Sequence, residues 1–129
     1  MLNFKKSLGV IMKYKESEEM YLETILLLKR KTQNVRSIDI ANELNYSRAS
    51  VSRAINLLKE RNFITIEKSN INFTKEGMEK ALEIYERHEI ITKVLIKIGV
   101  PVDSAEDNAC RIEHVVSKDL LEYFKEFIK

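Results

Sequence analysis

Cys110, Glu113 and His114 stand at spacings of i, i+3 and i+4 near the C-terminal end of the chain. On a helix that spacing puts all three side chains on one face. A thiol, a carboxylate and an imidazole there make three quarters of a tetrahedral metal site or half of an octahedral one. The same trio also fits a half-buried cysteine beside a surface glutamate and histidine. The metal reading therefore needs further ligands from the rest of the chain, and something for an ion to switch.

Length and composition set the frame for those elements. The 129 residues allow one domain or two small ones sharing a core, with 44% hydrophobic and 33% charged residues. Three glycines and one proline predict long helices and little loop. No apolar run approaches the roughly 18–20 residues of a membrane span, and the start lacks a small-residue cleavage site, so the chain reads as cytoplasmic and off the membrane. A single cysteine cannot form an intramolecular disulfide, which leaves ligand, thiol or packing roles. Net charge is only +2, but it is divided unevenly. Lys29–Glu76 holds ten basic and five acidic residues, while residues 77–129 hold eight and eleven. A basic first half points to an anion-binding module, with nucleic acid the expected anion.

In chain order, residues 1–15 carry no clear pattern and read as an N-terminal extension. Ser17 is the expected N-cap of a helix running to about Lys31, with Glu18 and Glu19 in its first turn. Ser37 is the expected cap of a short helix through Leu44. Asn45-Tyr46-Ser47 forms a turn, and Ser47 caps a second helix, 48–61, with Val51, Ala54, Ile55 and Leu58 inward. Two helices joined this way form a helix-turn-helix. Residues 63–67 and 71–73 alternate as strands around Lys68-Ser69-Asn70, which predicts a wing with Lys68 and Asn70 at its tip near phosphate or the minor groove. Thr74 caps a long helix to about Ile98, stopped by Gly99-Val100-Pro101. Asp103 or Ser104 opens the helix bearing Cys110, Glu113 and His114, expected to reach Val116. Ser117 begins a last amphipathic helix. The expected fold is mainly α: a winged helix-turn-helix domain over 16–75 and a helical metal-binding and dimerisation domain over 76–129. The second half is too short to bury its own apolar surface, so a homodimer is the natural outlet.

With these elements in place, the sequence resembles the iron- and manganese-dependent repressors typified by the diphtheria toxin repressor and the manganese transport regulator. The resemblance runs from about Ser17 to the C-terminus. It rests on Glu19-Met20-Tyr21-Leu22-Glu23-Thr24-Ile25, the winged helix, Tyr85-Glu86-Arg87-His88, and Cys110 to Ser117. It implies a main metal site of Met20, Cys110, Glu113 and His114. A second site would use His88 and the position of Glu106. Thr92 stands where iron-responsive members have a glutamate, and Glu106 where they have a histidine. Glu23 matches a ligand position of manganese-responsive members and offers a different second site. The SH3-like domain of many iron-responsive members is missing, so the chain resembles the short branch carrying iron-type ligands.

Soft thiolate and thioether donors disfavour Mn²⁺ relative to Fe²⁺, Co²⁺, Ni²⁺ or Zn²⁺. Fe²⁺ is the expected effector, with Mn²⁺ the alternative and the later metals expected to bind in vitro. Metal joining the first helix to the dimer half would set the spacing of the two winged helices on a palindromic operator in double-stranded DNA. The resemblance implies base contacts at Ser47, Ala49 and Arg53. Arg48 and Ser52 are placed at or near the bases, with phosphate favoured for Arg48, and Ser37, Ser50 and Lys68 are expected on the DNA backbone. An enzyme is disfavoured, because a Cys–His pair on one helix has no evident oxyanion donors or glycine-rich loop. Two other rivals are a winged-helix regulator whose Cys110 face is redox-sensing or vestigial, and a dimerisation module that does not bind DNA.

Overall fold

The computed structural model describes residues 13–129, with side-chain surroundings from residue 18 onward. Helix α1 spans Lys13–Lys31. Ser17 therefore lies inside it rather than capping it. Nothing in Lys13-Tyr14-Lys15-Glu16 breaks a helix, and serine costs little in a helix interior. Of the expected N-terminal extension, residues 1–12 lie outside the described residues and 13–15 are already helical.

Helix α2 (Ser37–Leu44) begins with Ser37 as its first helical residue, so Arg36, not Ser37, is the N-cap. The Arg36 backbone N–H donates to the Asp39 carboxylate at 2.8 Å, the return half of a capping box. Asn45 ends α2 in the left-handed region, at φ 57°. Ser47 then caps α3 (Arg48–Glu60), its hydroxyl accepting from the Ser50 N–H at 3.1 Å. Val51, Ile55 and Leu58 turn inward and are buried, and Ala54 is partly covered.

Strands β1 (Ile64–Glu67) and β2 (Asn70–Phe73) pair antiparallel, with Ile64 opposite Phe73 and Glu67 opposite Asn70. The turn is the two residues Lys68 and Ser69, both at positive φ, as a tight hairpin matching strand twist requires. Asn70, expected in the turn, is the first residue of β2. Thr74 caps α4 (Lys75–Lys97) by accepting from the Gly77 N–H at 3.0 Å. Gly77 is obligatory here, because a Cβ would lie 1.8 Å from the Phe63 carbonyl oxygen.

Helix α4 is about 34 Å long at 1.5 Å per residue and runs through two cores. Ala81 and Ile84 join the winged-helix core of Leu22, Ile25, Val35, Ile40, Val51, Ile55, Leu58, Ile64 and Ile71. Ile90 and Ile91 join a smaller core with Ala109 and Leu121. The latter two come from α5 (Val102–Ile112) and α6 (Lys118–Phe127). Helix α5 opens at Val102, earlier than Asp103 or Ser104, with Pro101 as an N-cap whose carbonyl accepts from the Ala105 N–H at 2.8 Å. It also ends at Ile112 rather than Val116. Ser117 accepts from the Leu120 N–H at 3.1 Å and caps α6 as expected, which requires the chain to leave helical geometry before it. Ile98, Val102, Leu120, Tyr123 and Phe127 are exposed apolar residues of this half. No helix among the described residues is long and apolar enough to cross a membrane.

Candidate metal centre and nucleic-acid interface

His88 falls on α4 between the residues that enter the two cores, and a buried polar cluster forms around it. Its Nδ1 lies 2.8 Å from Glu113 Oε2. Glu23 of α1 completes a group in which one ligand atom from each of Glu23, His88 and Glu113 lies within 4.8 Å of the others. Glu23 is i+4 from Glu19, so both acids project from the same side of α1. Glu113 keeps helical dihedrals just past α5, its N–H bonded to the Ala109 carbonyl at 2.9 Å. The i, i+3 relation of Cys110 and Glu113 therefore holds. His114 lies past the end of α5, and its Nδ1 meets Glu19 Oε1 at 3.0 Å.

The carboxylates and imidazoles tune one another. Burial pushes the Glu23 carboxyl up to about 8, reinforced by the neighbouring Glu113. Burial acts on Glu113 in the same direction, but its contacts with His114, His88 and Glu23 outweigh it and hold Glu113 down at about 2. For His114, burial lowers the pKa, yet Glu113 and Glu19 together raise it to about 9. The Glu113 hydrogen bond raises His88 as well, with Glu23 and Glu106 adding smaller attractions. Without a metal, the cluster thus balances its charge with protons.

Three buried polar atoms of this cluster, Arg87 Nε among them, have no hydrogen-bond partner among the described residues, and the other two form a pair. Glu113 Oε1 and His114 Nε2 face each other at 3.2 Å without a well-aligned hydrogen bond. Unsatisfied buried donors and acceptors are costly, and a divalent cation accepting lone pairs from both would satisfy them. The donor set of carboxylates and imidazoles suits such an ion. The residues present fit a metal.

The other sequence-predicted ligands fall around this group. Met20 is buried, and its sulfur accepts a hydrogen bond from the Tyr46 hydroxyl, at 3.7 Å, in the turn before α3. Cys110 is half-buried and falls outside the 4.8 Å group. Glu106 is exposed one turn earlier on α5. Thr92 has its hydroxyl bonded to the His88 carbonyl at 2.7 Å. The sequence reading placed Glu19 in the first turn of the helix and Arg87 in a family motif but gave neither a role at the site. A clue was available: two acids, Glu19 and Glu23, sit on a helix face otherwise made of apolar residues, where a carboxylate needs a partner.

Most polar side chains of α3 and those of the wing turn are open to solvent. Ser47, Arg48, Ala49, Ser52 and Arg53 are exposed along the first turns of α3, and Lys68 is exposed at the wing turn. Ser37 and Ser50 are half-buried. The Ser50 hydroxyl bonds that of Ser47 at 2.9 Å and receives Arg53 Nη2 at 3.5 Å. Asn70, expected near phosphate, faces inward instead. Its Oδ1 accepts from Lys29 Nζ at 3.1 Å and from the Val35 N–H at 3.0 Å. Lys29 also donates to Asn72 Oδ1 at 2.8 Å and to the Gln33 carbonyl at 3.0 Å, so it anchors the wing to the end of α1. The other end of α1 is tied to α3 and α4. There the buried Glu18 pairs with Arg61, directly after α3, and with Lys80 of α4.

A winged helix with exposed arginines on α3, joined through α1 to a buried carboxylate–imidazole cluster, has the architecture of a DNA-binding protein with a metal site. Comparison with known proteins makes this specific. Residues 13–70 match the DNA binding domain of the iron dependent repressors, and residues 74–129 match their metal binding and dimerisation domain. An uncharacterized HTH-type transcriptional regulator of Methanocaldococcus jannaschii is 29% identical over 117 residues, covering 88% of this chain and 94% of the relative. The transcriptional regulator MntR of Escherichia coli O6:H1 is 32% identical over 108 residues, covering 83% and 70%. Among solved structures, T. acidophilum IdeR superposes with a TM-score of 0.77 at 26% identity over 84% of this chain. The chain spans about half of that structure's length, 52%. This chain belongs to the iron dependent repressor family, whose members are metal-dependent, DNA-binding transcriptional repressors and not enzymes. The family binds divalent metal, Fe or Mn, and dimerises through its C-terminal domain.

Proposed function

We propose that this protein is an Fe²⁺-responsive repressor of metal-uptake genes in which the ion is held where α1, α4 and α5 meet. The observation that carries the reading is the fully buried Glu113, shared by His88, His114 and Glu23. Glu23, His88, Glu113 and His114 supply oxygen and nitrogen donors. Met20 and Cys110 add soft sulfur donors from the neighbouring turns of α1 and α5, the feature that favours Fe²⁺ over Mn²⁺. The exposed Glu106 is an outer contributor near His88. Bound metal supplies positive charge in place of the protons that the cluster otherwise needs.

The chain's own residues then connect the site to DNA. Helix α1 carries Glu19, Met20 and Glu23 on the site side, and Glu18 links it to Arg61 at the end of α3. Fixing α1 against α4 and α5 thus fixes the reading helix relative to the dimerisation half. In a homodimer that fixes the distance between two reading helices on a palindromic operator. Arg53 is the residue proposed to grip guanine, with Ser47, Ala49 and Ser52 beside it at the bases. Arg48, Ser50, Ser37 and Lys68 are proposed on phosphate. The proposed division of labour is residues 16–75 for DNA and 76–129 for metal and dimerisation, with protein and operator in the cytoplasm.

A second reading, Mn²⁺ as effector, is favoured by one observation: the three groups brought closest are two carboxylates and one imidazole, a set without sulfur. Anaerobic titration of metal-free protein separates the two. Co²⁺, standing in for Fe²⁺, is expected to give a saturable near-ultraviolet thiolate band that Cys110→Ala removes. DNA binding is expected to switch on at lower Fe²⁺ than Mn²⁺. Activation by Mn²⁺ at lower concentration, with no Cys110-dependent band, establishes the manganese reading in its place.

A further inference from the structure

Glu19 is a buried carboxylate for which the proposed coordination has no use as a ligand. Its Oε1 lies 3.0 Å from His114 Nδ1, and its Oε2 lies 3.0 Å from Arg87 Nη2. The three side chains are 5%, 1% and 11% exposed, so water does not replace any member of the chain of contacts. Both carboxylate oxygens are engaged by donors, which leaves Glu19 no oxygen directed at an ion. His114 Nε2, on the far side of the ring, points at Glu113 Oε1 instead.

We propose that Glu19, braced by Arg87, is the positioning residue that holds the proton of His114 on Nδ1 and so commits Nε2 to the metal. A carboxylate accepting from one imidazole nitrogen fixes the tautomer, sets the ring plane and makes the other nitrogen a better donor. Arg87 does two things in this arrangement. Against the upward push of burial, its guanidinium adds to the His114 hydrogen bond in holding the Glu19 carboxyl below the usual carboxylate range, and its own position on α4, beside His88, ties the brace to the helix carrying another ligand. Helix α1 therefore serves the site twice within one turn: Glu23 faces the ion, and Glu19 stands behind His114. The contact joins residues 95 apart in sequence, so undocking α1 would loosen His114 as well as remove Glu23.

The inference rests on the reading of His114 as a ligand, and the experiment separates the two. Protein labelled with ¹⁵N in histidine is loaded with Zn²⁺, a diamagnetic probe, and the ring nitrogens of His114 are read by NMR. Affinity for Zn²⁺ is measured alongside by competition with a chelator. The expected result is metal on Nε2 and a slowly exchanging proton on Nδ1 in the native protein. Glu19→Ala is expected to lower affinity about 10- to 100-fold and to let the Nδ1 proton exchange rapidly. Glu19→Gln, which keeps an acceptor of the same shape, is expected to retain the tautomer with a smaller loss, about three- to tenfold. Circular dichroism of both variants checks that they fold, and the glutamine variant carries the test if the alanine variant does not. Zn²⁺ bound through Nδ1, or both variants within twofold of native affinity, overturns the role of Glu19 while leaving the site standing. No Zn²⁺-dependent shift of His114 in the native protein removes His114 from the site, and the role of Glu19 with it.

Discussion

Along the first turns of α3 the polar side chains stand in water and bond to neighbours three residues away, Ser47 to Ser50 and Arg53 to Ser50. Where α1, α4 and α5 meet, the polar side chains are buried, and their partners lie 25 and 95 residues away. The exposed set needs no compensation in the absence of DNA, because water solvates it. The buried set must balance its charge internally, and it does so by keeping protons on groups that would otherwise titrate lower. The comparison teaches that a surface can wait for its ligand at no cost, whereas an interior must hold a stand-in. Here the stand-in is a set of protons, and a divalent cation competes with them directly.

The sharpest break of that contrast is at Glu113. Glu113→Gln removes the carboxylate that His88 and His114 share, and metal affinity is expected to fall roughly 100-fold or more, about 2.7 kcal/mol. Chelator competition measures the loss, and unchanged amide spectra for α2, α3 and the wing would confine the effect to the buried region. On the exposed side the counterpart is Arg53→Ala. It is expected to cost about 1–3 kcal/mol on the best duplex and to relax preference at one base pair. Co²⁺ affinity should not move. A loss of Co²⁺ affinity in Arg53→Ala, measured without DNA, breaks the division.

The proton stand-in predicts a pH dependence that the exposed face lacks. Glu23 holds its proton up to about 8 and His114 up to about 9, so below those values an incoming ion must displace them. Metal affinity is therefore expected to rise with pH, about tenfold per pH unit for each proton released, and to level off above the higher value. Calorimetry in buffers of different ionisation enthalpy counts those protons. The smallest expected effects distinguish a lysine at the wing turn from the lysine of α1 that anchors the wing. Lys68→Ala should lower the salt dependence of DNA binding by about one phosphate contact. Lys29→Met should weaken binding roughly two- to fivefold with the salt dependence unchanged, because Lys29 holds Asn70 and Asn72 rather than DNA.

What the sequence made legible follows the same division. Ser47, Thr74 and Ser117 cap their helices by bonding three residues ahead, a local interaction that spacing reveals. The wing strands and the inward stripe of α3 are likewise periodic signals. The failures at helix ends have local causes of another kind. Ser17 is a competent cap that nothing upstream forces to act, and Arg36 displaces Ser37 because Asp39 reaches back to it. Asn70 reads as turn chemistry, yet its side chain serves a lysine 41 residues earlier. Met20, Glu23, His88, Cys110, Glu113 and His114 came forward as ligand candidates through resemblance and helical spacing. Which of them meet could not be read from spacing, because the meeting depends on how three helices cross. Glu19 and Arg87 show this most plainly: their motifs carry no hint of a contact, and only the packing of α1 on α4 pairs Glu19 with Arg87 while His114 comes in from beyond α5.

The measurement that tests the coupling of buried site to exposed face is DNA affinity with and without metal, for native protein and Glu113→Gln side by side. A duplex selected from a random pool by metal-loaded protein serves as probe, with anaerobic Fe²⁺ and Mn²⁺ in separate arms. The expected result is at least a tenfold gain in affinity on loading the native protein, about 1.4 kcal/mol of coupling, and no gain in the variant. Equal affinity of the native protein with and without either ion would contradict the account, because the buried cluster would then have no hold on the reading helix.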